Sequence, residues 1–296
     1  MRRPSTIELM LLATVLLWAL NLTVTRYILT HGFEPLAYAT FRYGLATAIF
    51  IGIVLVGERT LRIARPDLPL VAVAAFFIFL NQLAFVYALH RTSASTIALL
   101  LGATPAFAAL IGLALGLERL SRRFWIAAAI SFAGVGLVAI GSGGDVSGDR
   151  IGILLGLATA ATWAAYSVAV GPLMRRYTAS RISVVALGVA WIGILLVGLP
   201  QTTDQDLDLG AKVWVFLLFA TLGPLVLTTI MWFRVIHRIG ASRATLVANL
   251  QPFVEAIFAL VLLSESMSAL QAVGGALIAG GILTARRRAP VPPGSE

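Results

Sequence analysis

The sequence predicts an all-α integral membrane protein in which ten transmembrane helices form two inverted five-helix repeats around a central cavity. Three observations lead to this fold class: an apolar composition, a long internal repeat, and loops in which basic residues are unevenly distributed. Apolar residues make up 59% of the 296 residues and charged residues only 12%, about half the charged share of soluble proteins. A chain of this composition is expected to fold in a lipid bilayer.

The charge balance and the cysteine count exclude several classes of function. The net charge is +9, but the arginines lie in small clusters between apolar runs, as in loops that face the anionic cytoplasmic leaflet. This pattern does not indicate binding to nucleic acid. The sequence contains no cysteine, which excludes disulfides, thiolate metal sites and thiol nucleophiles. We expect no metal site and no cofactor.

Ten apolar stretches are long enough to cross the hydrocarbon layer, which is about 30 Å thick. They lie at residues 7–29, 36–56, 69–89, 94–116, 123–140, 151–172, 182–199, 213–235, 243–263 and 268–285. The first follows a basic start, but it is too long for a signal peptide and no cleavage pattern follows, so we expect it to remain as a span. Residues 286–296 are polar and proline-rich, which predicts a disordered cytoplasmic tail.

A long internal repeat predicts that the chain is duplicated. Residues 90–118 recur in altered form at residues 237–265, with ten identities in twenty-nine ungapped positions. The identities include residue types that are rare in this chain: His90 with His237, Pro105 with Pro252, and Glu118 with Glu265. We therefore predict a first five-helix repeat at residues 1–143 and a second at residues 144–285.

The distribution of basic residues predicts that the two repeats cross the membrane in opposite directions. Placing the N-terminus in the cytoplasm puts sixteen basic residues on the inner side and three on the outer side, as the positive-inside rule requires. Both termini are then cytoplasmic. The loop after the fourth helix (ERLSRR) is basic, whereas its counterpart after the ninth (ESMSA) is not. Inverted repeats are typical of alternating-access transporters, which hold the substrate near the midplane.

Two ionisable residues are predicted to lie within the membrane. Glu255 lies about 18 Å into the ninth helix, and Arg42 lies about 9 Å into the second helix from the opposite side. An ionised carboxylate at this depth is costly unless it is paired or in a water-filled cavity. One interpretation is a proton or substrate-amine site at Glu255, with Arg42 as its counter-ion or as a clamp for a substrate carboxylate. The alternative is a fixed ion pair that ties helices together, or a carboxyl group that is simply protonated.

Two prolines are predicted to interrupt the fourth and ninth helices at equivalent points. Pro105 follows Thr104, and Pro252 follows Gln251. Proline lacks the backbone N–H and frees a carbonyl one turn earlier, which suits a bend where polar backbone faces a cavity. A passive kink without a ligand role is the alternative interpretation.

Polar and aromatic side chains at mid-membrane depth form the predicted substrate site. The first helices of the two halves align so that Trp18 lies over Trp163, and both lie near mid-span, where a role as an interfacial anchor is not favoured. Amides at this depth turn inward, where they either bond a neighbouring helix or line a cavity. The candidate substrate-binding residues are Trp18, Asn21, Asn81, Gln82, Thr104, Trp163, Tyr166, Thr228, Trp232 and Gln251.

Three segments carry a resemblance to a known family. They are PAFAALIGLALGLERLS at 105–121, PFVEAIFALVLLSESMS at 252–268, and FRYGLATA at 41–48. The first two are each followed by a glycine-spaced helix. These segments resemble the drug/metabolite transporter superfamily, and within it the EamA-type exporters with ten helices in two repeats. One departure is that the family usually has glycine directly before each glutamate, where this chain has Leu117 and Ser264.

The resemblance implies an architecture and a function. Helices one to four and six to nine would form a basket around a central cavity, with helices five and ten flanking it. It implies location in the bacterial inner membrane and export of amino acids or other small metabolites. Glu118 and Glu265 match the family's hallmark acids, and we interpret them as structural caps near the membrane faces rather than as substrate ligands.

The resulting prediction is a secondary active transporter that exports small polar metabolites, with amino acids or related compounds as the predicted substrates. We expect its partners to be a small metabolite, protons and the lipid bilayer, with the protein a monomer or a loose homodimer. One alternative is an uptake carrier for a vitamin, nucleotide or sugar conjugate on the same fold. A second is a passive channel, which would need a continuous polar file rather than polar residues clustered at mid-depth. An enzyme is not expected, because the spans contain no Asp and neither G-x-S-x-G nor H-E-x-x-H occurs.

Overall fold

The computed structural model describes residues 5–92, 94–117, 119–141, 150–254, 257 and 268–286. Its helices are α1 (Thr6–Thr30), α2 (Pro35–Gly57), α3 (Leu68–Arg91), α4 (Ala94–Leu101), α5 (Thr104–Ala114), α6 (Arg122–Gly141), α7 (Arg150–Leu173), α8 (Ala179–Val197), α9 (Leu199–Thr203), α10 (Gly210–Thr221), α11 (Thr228–Ile239), α12 (Ala241–Ala248) and α13 (Ala269–Arg286). A 3-10 turn at Arg65–Asp67 precedes α3, and a π-helical turn at Leu222–Leu227 joins α10 to α11. Glu118, Glu255 and Glu265 lie outside the described residues, as do residues 287–296 of the predicted tail.

Seven of the described helical stretches are long and apolar enough to cross a membrane. They correspond to the predicted spans one, two, three, five, six, seven and eight, which confirms a helical protein of membrane character. The fourth predicted span is divided between α4 and α5, the tenth corresponds to α13, and the ninth extends past the described residues. The total of ten spans stays a prediction.

The helix ends follow from local sequence signals. Ser5 accepts a hydrogen bond from the backbone N–H of Glu8, and the Glu8 carboxylate accepts one from the backbone N–H of Ser5, the reciprocal pattern of a capping box. Pro35 opens α2, where its missing N–H would have no partner within the helix. Thr178 caps α8 by accepting from the N–H of Arg181. These signals place the loops between the predicted spans.

Helices of the two halves pack against each other throughout the bundle. α3 packs against α7 and α8, α2 against α8, α1 against α10 and α11, and α5 against α7 and α12. A continuous core of buried apolar side chains joins α2, α3, α7, α8 and α11. The cavity described below lies inside this arrangement, and α6 and α13 pack mainly against each other beside it.

α6 and α13 approach each other closely because glycines face each other at their contact. A Cβ atom placed on Gly274 would lie 2.5 Å from the carbonyl oxygen of Gly134, and one on Gly134 would lie 2.6 Å from the carbonyl oxygen of Gly274. Neither residue can carry a side chain unless a backbone moves. Small residues at the interface are the usual means of helix association in lipid, where no hydrophobic effect drives it.

Ion pairs join the two halves at one end of the bundle. Glu58 follows α2 and pairs with Arg181 of α8, with 2.5 Å between Oε2 and Nη2. Asp67 precedes α3 and pairs with Arg176 at 2.9 Å, and it also accepts from the hydroxyl of Tyr177 at 2.7 Å. We name this group the ionic contact. It places the α2–α3 loop and the α7–α8 loop on the same side of the bundle, as the prediction requires.

Neutral amide groups join the halves at the opposite end. The side-chain oxygen of Gln205 accepts from the backbone N–H of Glu34 at 2.7 Å, and its Nε2 donates to the carbonyl of Gly32 at 3.0 Å. Gln201 likewise accepts from the backbone N–H of Leu36 at 2.8 Å. We name this group the amide contact. The α1–α2 loop is thereby fixed against the connection between α8 and α10.

Candidate functional site

A cavity of about 160 Å³ lies between the two halves of the bundle. Both halves contribute to its wall, the first through α1, α2, α3, the α4–α5 break and Val135 of α6, and the second through α7, α8, the π-helical turn, α11, α12 and the residues after α12. The predicted residues that line it are Trp18, Asn21, Arg42, Asn81, Gln82, Thr104, Trp163, Tyr166, Thr228, Gln251 and Pro252. Nine of the ten predicted substrate-binding residues therefore surround one space, together with Arg42.

The two tryptophans that align between the halves meet in the cavity wall. The ring centroids of Trp18 and Trp163 lie 5.4 Å apart with their planes at 82°, a favourable edge-to-face arrangement. The ring of Tyr166 lies 5.6 Å from that of Trp163. The indole N–H of Trp18 donates to the carbonyl of Pro224 at 3.2 Å and to the hydroxyl of Thr228 at 3.1 Å. This aromatic wall is held in place on several sides and presents ring surface to a ligand.

Trp232 supports the aromatic wall from behind and is not among the residues that line the cavity. Its ring lies 4.9 Å from that of Trp18 and 6.2 Å from that of Trp163, and it is only 1% exposed. Its indole N–H donates to the hydroxyl of Ser167 at 3.3 Å. The prediction placed Trp232 in contact with the substrate, but on α11 it is Thr228, one turn earlier, that reaches the cavity.

The amide side chains in the wall also make bonds between helices. Asn81 donates to the carbonyl of Thr159 at 2.9 Å, which links α3 to α7. Gln251 donates to the carbonyl of Trp18 at 3.3 Å and makes no other side-chain hydrogen bond to the described residues. Interhelical bonding therefore accounts for part of their hydrogen-bonding capacity, as the alternative interpretation expected. An amide has two donors and an acceptor oxygen, so Gln251 keeps groups for a ligand.

Arg42 is held at the cavity by a carbonyl group that a proline leaves free. Pro224 lies in the π-helical turn and has no N–H to donate to the carbonyl of Ala220, four residues earlier. That carbonyl accepts instead from Arg42, at 3.3 Å from Nε and 3.1 Å from Nη2. Nη2 also donates to the side-chain oxygen of Asn21 at 3.3 Å. Arg42 is only 5% exposed, and the ion pairs found among the described residues do not include it.

The two predicted helix interruptions exist and contact each other. Pro105 lies in the first turn of α5, directly after the α4–α5 break, and Thr104 donates through its hydroxyl to the carbonyl at residue 101 at 2.6 Å. Helical backbone likewise ends at α12 and resumes at residue 251, just before Pro252. Asn249, between these segments, donates to the carbonyl of Gly102 at 3.3 Å. Both breaks therefore lie beside the cavity.

Sequence reasoning missed part of the cavity wall. Further residues that line it include Tyr43, Phe85, Thr159 and Thr245. An aromatic or a threonine within an apolar span carries no signal of its own that distinguishes a cavity from a core. Pro224 did carry a signal, because a Gly-Pro pair inside an apolar span favours a local departure from α-helical geometry.

The family model described as "EamA-like transporter family" matches the chain twice, at residues 5–140 and at residues 150–287. Together the two matches cover nearly the whole sequence. The chain belongs to the EamA-like transporter family. The resemblance stated from the sequence motifs is thereby confirmed, and the EamA family is a family of transporters rather than of enzymes.

Relatives of this EamA-family protein carry transporter names. "Uncharacterized transporter YyaM" of Bacillus subtilis (strain 168) is 24% identical over 289 residues, covering 94% of this chain and 93% of the relative. "Probable terminal-alkyne amino-acid exporter" of Streptantibioticus cattleyicolor is 26% identical over 92% of this chain and 93% of its own length. "Probable amino-acid metabolite efflux pump" of Salmonella typhimurium is 26% identical over 92% of this chain and 91% of its own length.

A solved structure has the same fold as this EamA-family chain. It is described only as "Crystal structure of protein" and superposes with a TM-score of 0.78, covering 95% of this chain and 96% of the other. The two sequences are 20% identical, so the likeness concerns the fold alone.

Proposed function

We propose that this EamA-family protein is a secondary active transporter of the bacterial inner membrane. It exports small polar metabolites, above all amino acids or related compounds, by alternating access. The observation that carries the proposal is the cavity between the halves, where aromatic rings, amides and one arginine converge. Two relatives named as a probable amino-acid exporter and a probable amino-acid metabolite efflux pump support the direction and the substrate class.

The pairing of helices supports the inverted repeats that alternating access requires. A two-fold exchange of the halves replaces α1 by α7, α2 by α8, α3 by α10–α11, and α4 by α12. Under this exchange the contact of α1 with α11 becomes the contact of α7 with α3, and both contacts exist. The contacts of α3 with α8 and of α4 with α7 likewise have their partners, α10 with α2 and α12 with α1. This pattern is what two related halves around a shared cavity produce.

The size and the wall of the cavity favour a compact polar substrate. Its volume of about 160 Å³ is well below the ~300–1,000 Å³ of sites for drug-sized ligands. Trp18, Trp163 and Tyr166 pack the apolar part of the substrate, while Asn21, Gln82 and the other amides hydrogen-bond it. The sequence has no nucleotide-binding motif, so a solute or ion gradient drives transport.

Counterflow in proteoliposomes tests the proposed function. Vesicles that contain the purified protein are loaded with an unlabelled amino acid and diluted into a trace of the same labelled compound, over a panel of the standard amino acids. A carrier that alternates between two sides concentrates the label transiently inside the vesicles. Simple equilibration of the label would indicate a channel, and no protein-dependent entry of any compound would contradict the proposal. A deletion strain then gives the direction, because loss of an exporter sensitises cells whereas loss of an importer starves them.

Replacing Glu255 by glutamine tests the proton-coupled form of the mechanism. The carboxyl group is predicted to lie at mid-membrane depth, where it can carry a proton between the two sides. We expect Glu255→Gln to lose uptake driven by a pH gradient while it keeps counterflow without one and elutes as wild type from a sizing column. Glu34→Gln, in the α1–α2 loop, is the control and should keep both activities. Unchanged pH-driven flux in Glu255→Gln would remove Glu255 from the mechanism.

A further inference from the structure

The described wall of the cavity contains a fixed positive charge and no fixed negative charge. Among the described residues that line it, Arg42 alone carries a formal charge. A buried cation is unfavourable in a membrane protein unless its N–H groups are bonded and an anion lies near it. In the structure, some of the N–H groups of Arg42 are bonded, but the described residues that line the cavity provide no anion near it.

Arg42 keeps hydrogen-bond donors that the described residues leave unused. A guanidinium has five N–H donors. Those on Nε and Nη2 are engaged by Ala220 and Asn21, whereas the two on Nη1 make no hydrogen bond to the described residues. The ring of Tyr38 lies 5.7 Å from the guanidinium carbon. All of these neighbours are neutral, so they orient the guanidinium without compensating its charge.

The geometry points to a carboxylate subsite at Arg42, which makes small organic acids the substrate class of this transporter. The inference rests on the proposed transport function and narrows its substrates. Guanidinium groups bind carboxylates through short, charge-assisted hydrogen bonds. A carboxylate on Nη1 supplies both the missing acceptor and the missing negative charge.

The rest of the wall fixes how such a substrate lies. Trp18 is one helical turn before Asn21 on the same face of α1, so a carboxylate on Arg42 directs the remainder of the substrate towards Trp18 and Trp163. The ring of Tyr166 lies 5.6 Å from that of Trp163 and extends this aromatic surface. The described lining contains no carboxylate that would select an ammonium group. The acid function is therefore the recognised group, and a 2-hydroxy acid is bound as well as the matching amino acid.

Pro224 is a positioning residue for this subsite. Its missing N–H leaves the carbonyl of Ala220 to Arg42, and its own carbonyl accepts from Trp18. Alanine at this position restores a backbone N–H, which can take the carbonyl of Ala220 and regularise the helix. Arg42 then loses the acceptor that aims it at the cavity.

Matched sets of three ligands test the inference in the wild-type protein. One set is L-valine, L-valinamide and 2-hydroxy-3-methylbutyrate, and smaller and larger sets are built in the same way on L-alanine and L-phenylalanine. Binding to the purified full chain is read from the rise in apparent thermal stability with ligand concentration. In at least one set, the amino acid and the hydroxy acid should bind alike and the amide at least about tenfold more weakly, as expected for loss of a hydrogen bond to a charged group.

Variants connect this selectivity to Arg42 and Pro224. Arg42→Gln should weaken binding of both acids by about 10- to 100-fold, so that acid and amide bind equally, and Arg42→Lys should restore part of the preference. Arg26→Gln, at an exposed position on α1, is the control and should keep the preference for the acid over the amide. Pro224→Ala should weaken both acids without changing the weak binding of the amide. Pro172 lies inside α7 and is not among the residues that line the cavity. Pro172→Ala should therefore change neither the binding of the acids nor the binding of the amide.

The outcomes separate the subsite from the proposed function. If Arg42→Gln does not fold, the three wild-type ligands of each set still decide the question. An amide that binds as tightly as its acid overturns the subsite, and this is the result that a fixed pair between Arg42 and Glu255 would produce. The proposed transport function is tested separately by counterflow and does not depend on this result. Binding of the amino acid without its hydroxy acid also overturns the inference, because it makes the ammonium group the recognised one. If no acid in any set binds, the subsite is wrong, and the counterflow panel decides the function separately.

Discussion

Replacing Trp232 by alanine is expected to lower the free energy of unfolding by about 3–5 kcal/mol, the range for loss of a large buried aromatic side chain. Trp232 is 1% exposed and packs against both Trp18 and Trp163. Removing its ring opens space directly behind the aromatic wall, so the two tryptophans lose the surface that holds them. We expect a lower unfolding temperature in detergent and, even below that temperature, weaker substrate binding.

Two further variants make the Trp232 result specific. Trp232→Phe keeps most of the ring contact and loses the hydrogen bond to Ser167, so it should cost about 1 kcal/mol and keep transport. Trp125→Ala removes a partly buried tryptophan of α6. Trp125 is not among the residues that line the cavity, so this variant should leave substrate affinity unchanged. An alanine variant at Trp232 that binds substrate as tightly as wild type would show that the aromatic wall needs no support from α11.

Replacing Gly274 by valine is expected to separate α6 from α13 and to lower the free energy of unfolding by about 3 kcal/mol or more. Its Cβ would lie 2.5 Å from the carbonyl oxygen of Gly134 and 2.8 Å from the backbone nitrogen of Val138. Overpacking against side chains typically costs about 1–3 kcal/mol, and backbone atoms give way less readily than side chains. Thermal unfolding of the purified protein measures the effect.

Gly280 on the same helix provides the matched control. A Cβ atom placed there has no other heavy atom within 4 Å, and the change in helix propensity from glycine to valine is the same at both sites. Gly280→Val should therefore unfold near the wild-type temperature. Equal unfolding temperatures for the two variants would mean that the glycine contact between α6 and α13 contributes little to stability.

The sequence predicted a helical protein of membrane character and many of the polar side chains in the cavity wall, because the membrane imposes strong rules. A span must be long and apolar, and a polar side chain at depth must turn inward, so counting apolar stretches and mid-depth amides led to Asn21, Asn81 and Gln251. The repeat added a second kind of information, because it aligned Trp18 with Trp163 before any geometry was available. The two rings meet in the structure.

The features that sequence reasoning could not reach depend on how side chains are shared between helices. Trp232 and Thr228 lie four residues apart on α11, and only the packing of α1 and α7 decides that the threonine lines the cavity and the tryptophan supports it. The bond between Arg42 and Ala220 required knowing which helix lies opposite α2. Hydropathy specifies neither partner. The place of Glu255 stays a prediction, because it lies outside the described residues.

The two ends of the bundle are fastened by different chemistry, and this makes them respond differently to electrolytes. The ionic contact consists of charged pairs near the surface, which mobile ions screen over a Debye length of about 8 Å at physiological ionic strength. The amide contact is neutral and is not screened. We therefore expect higher ionic strength to weaken the ionic contact and to leave the amide contact unchanged, so that the two facing states of the proposed alternating-access cycle would respond differently to salt.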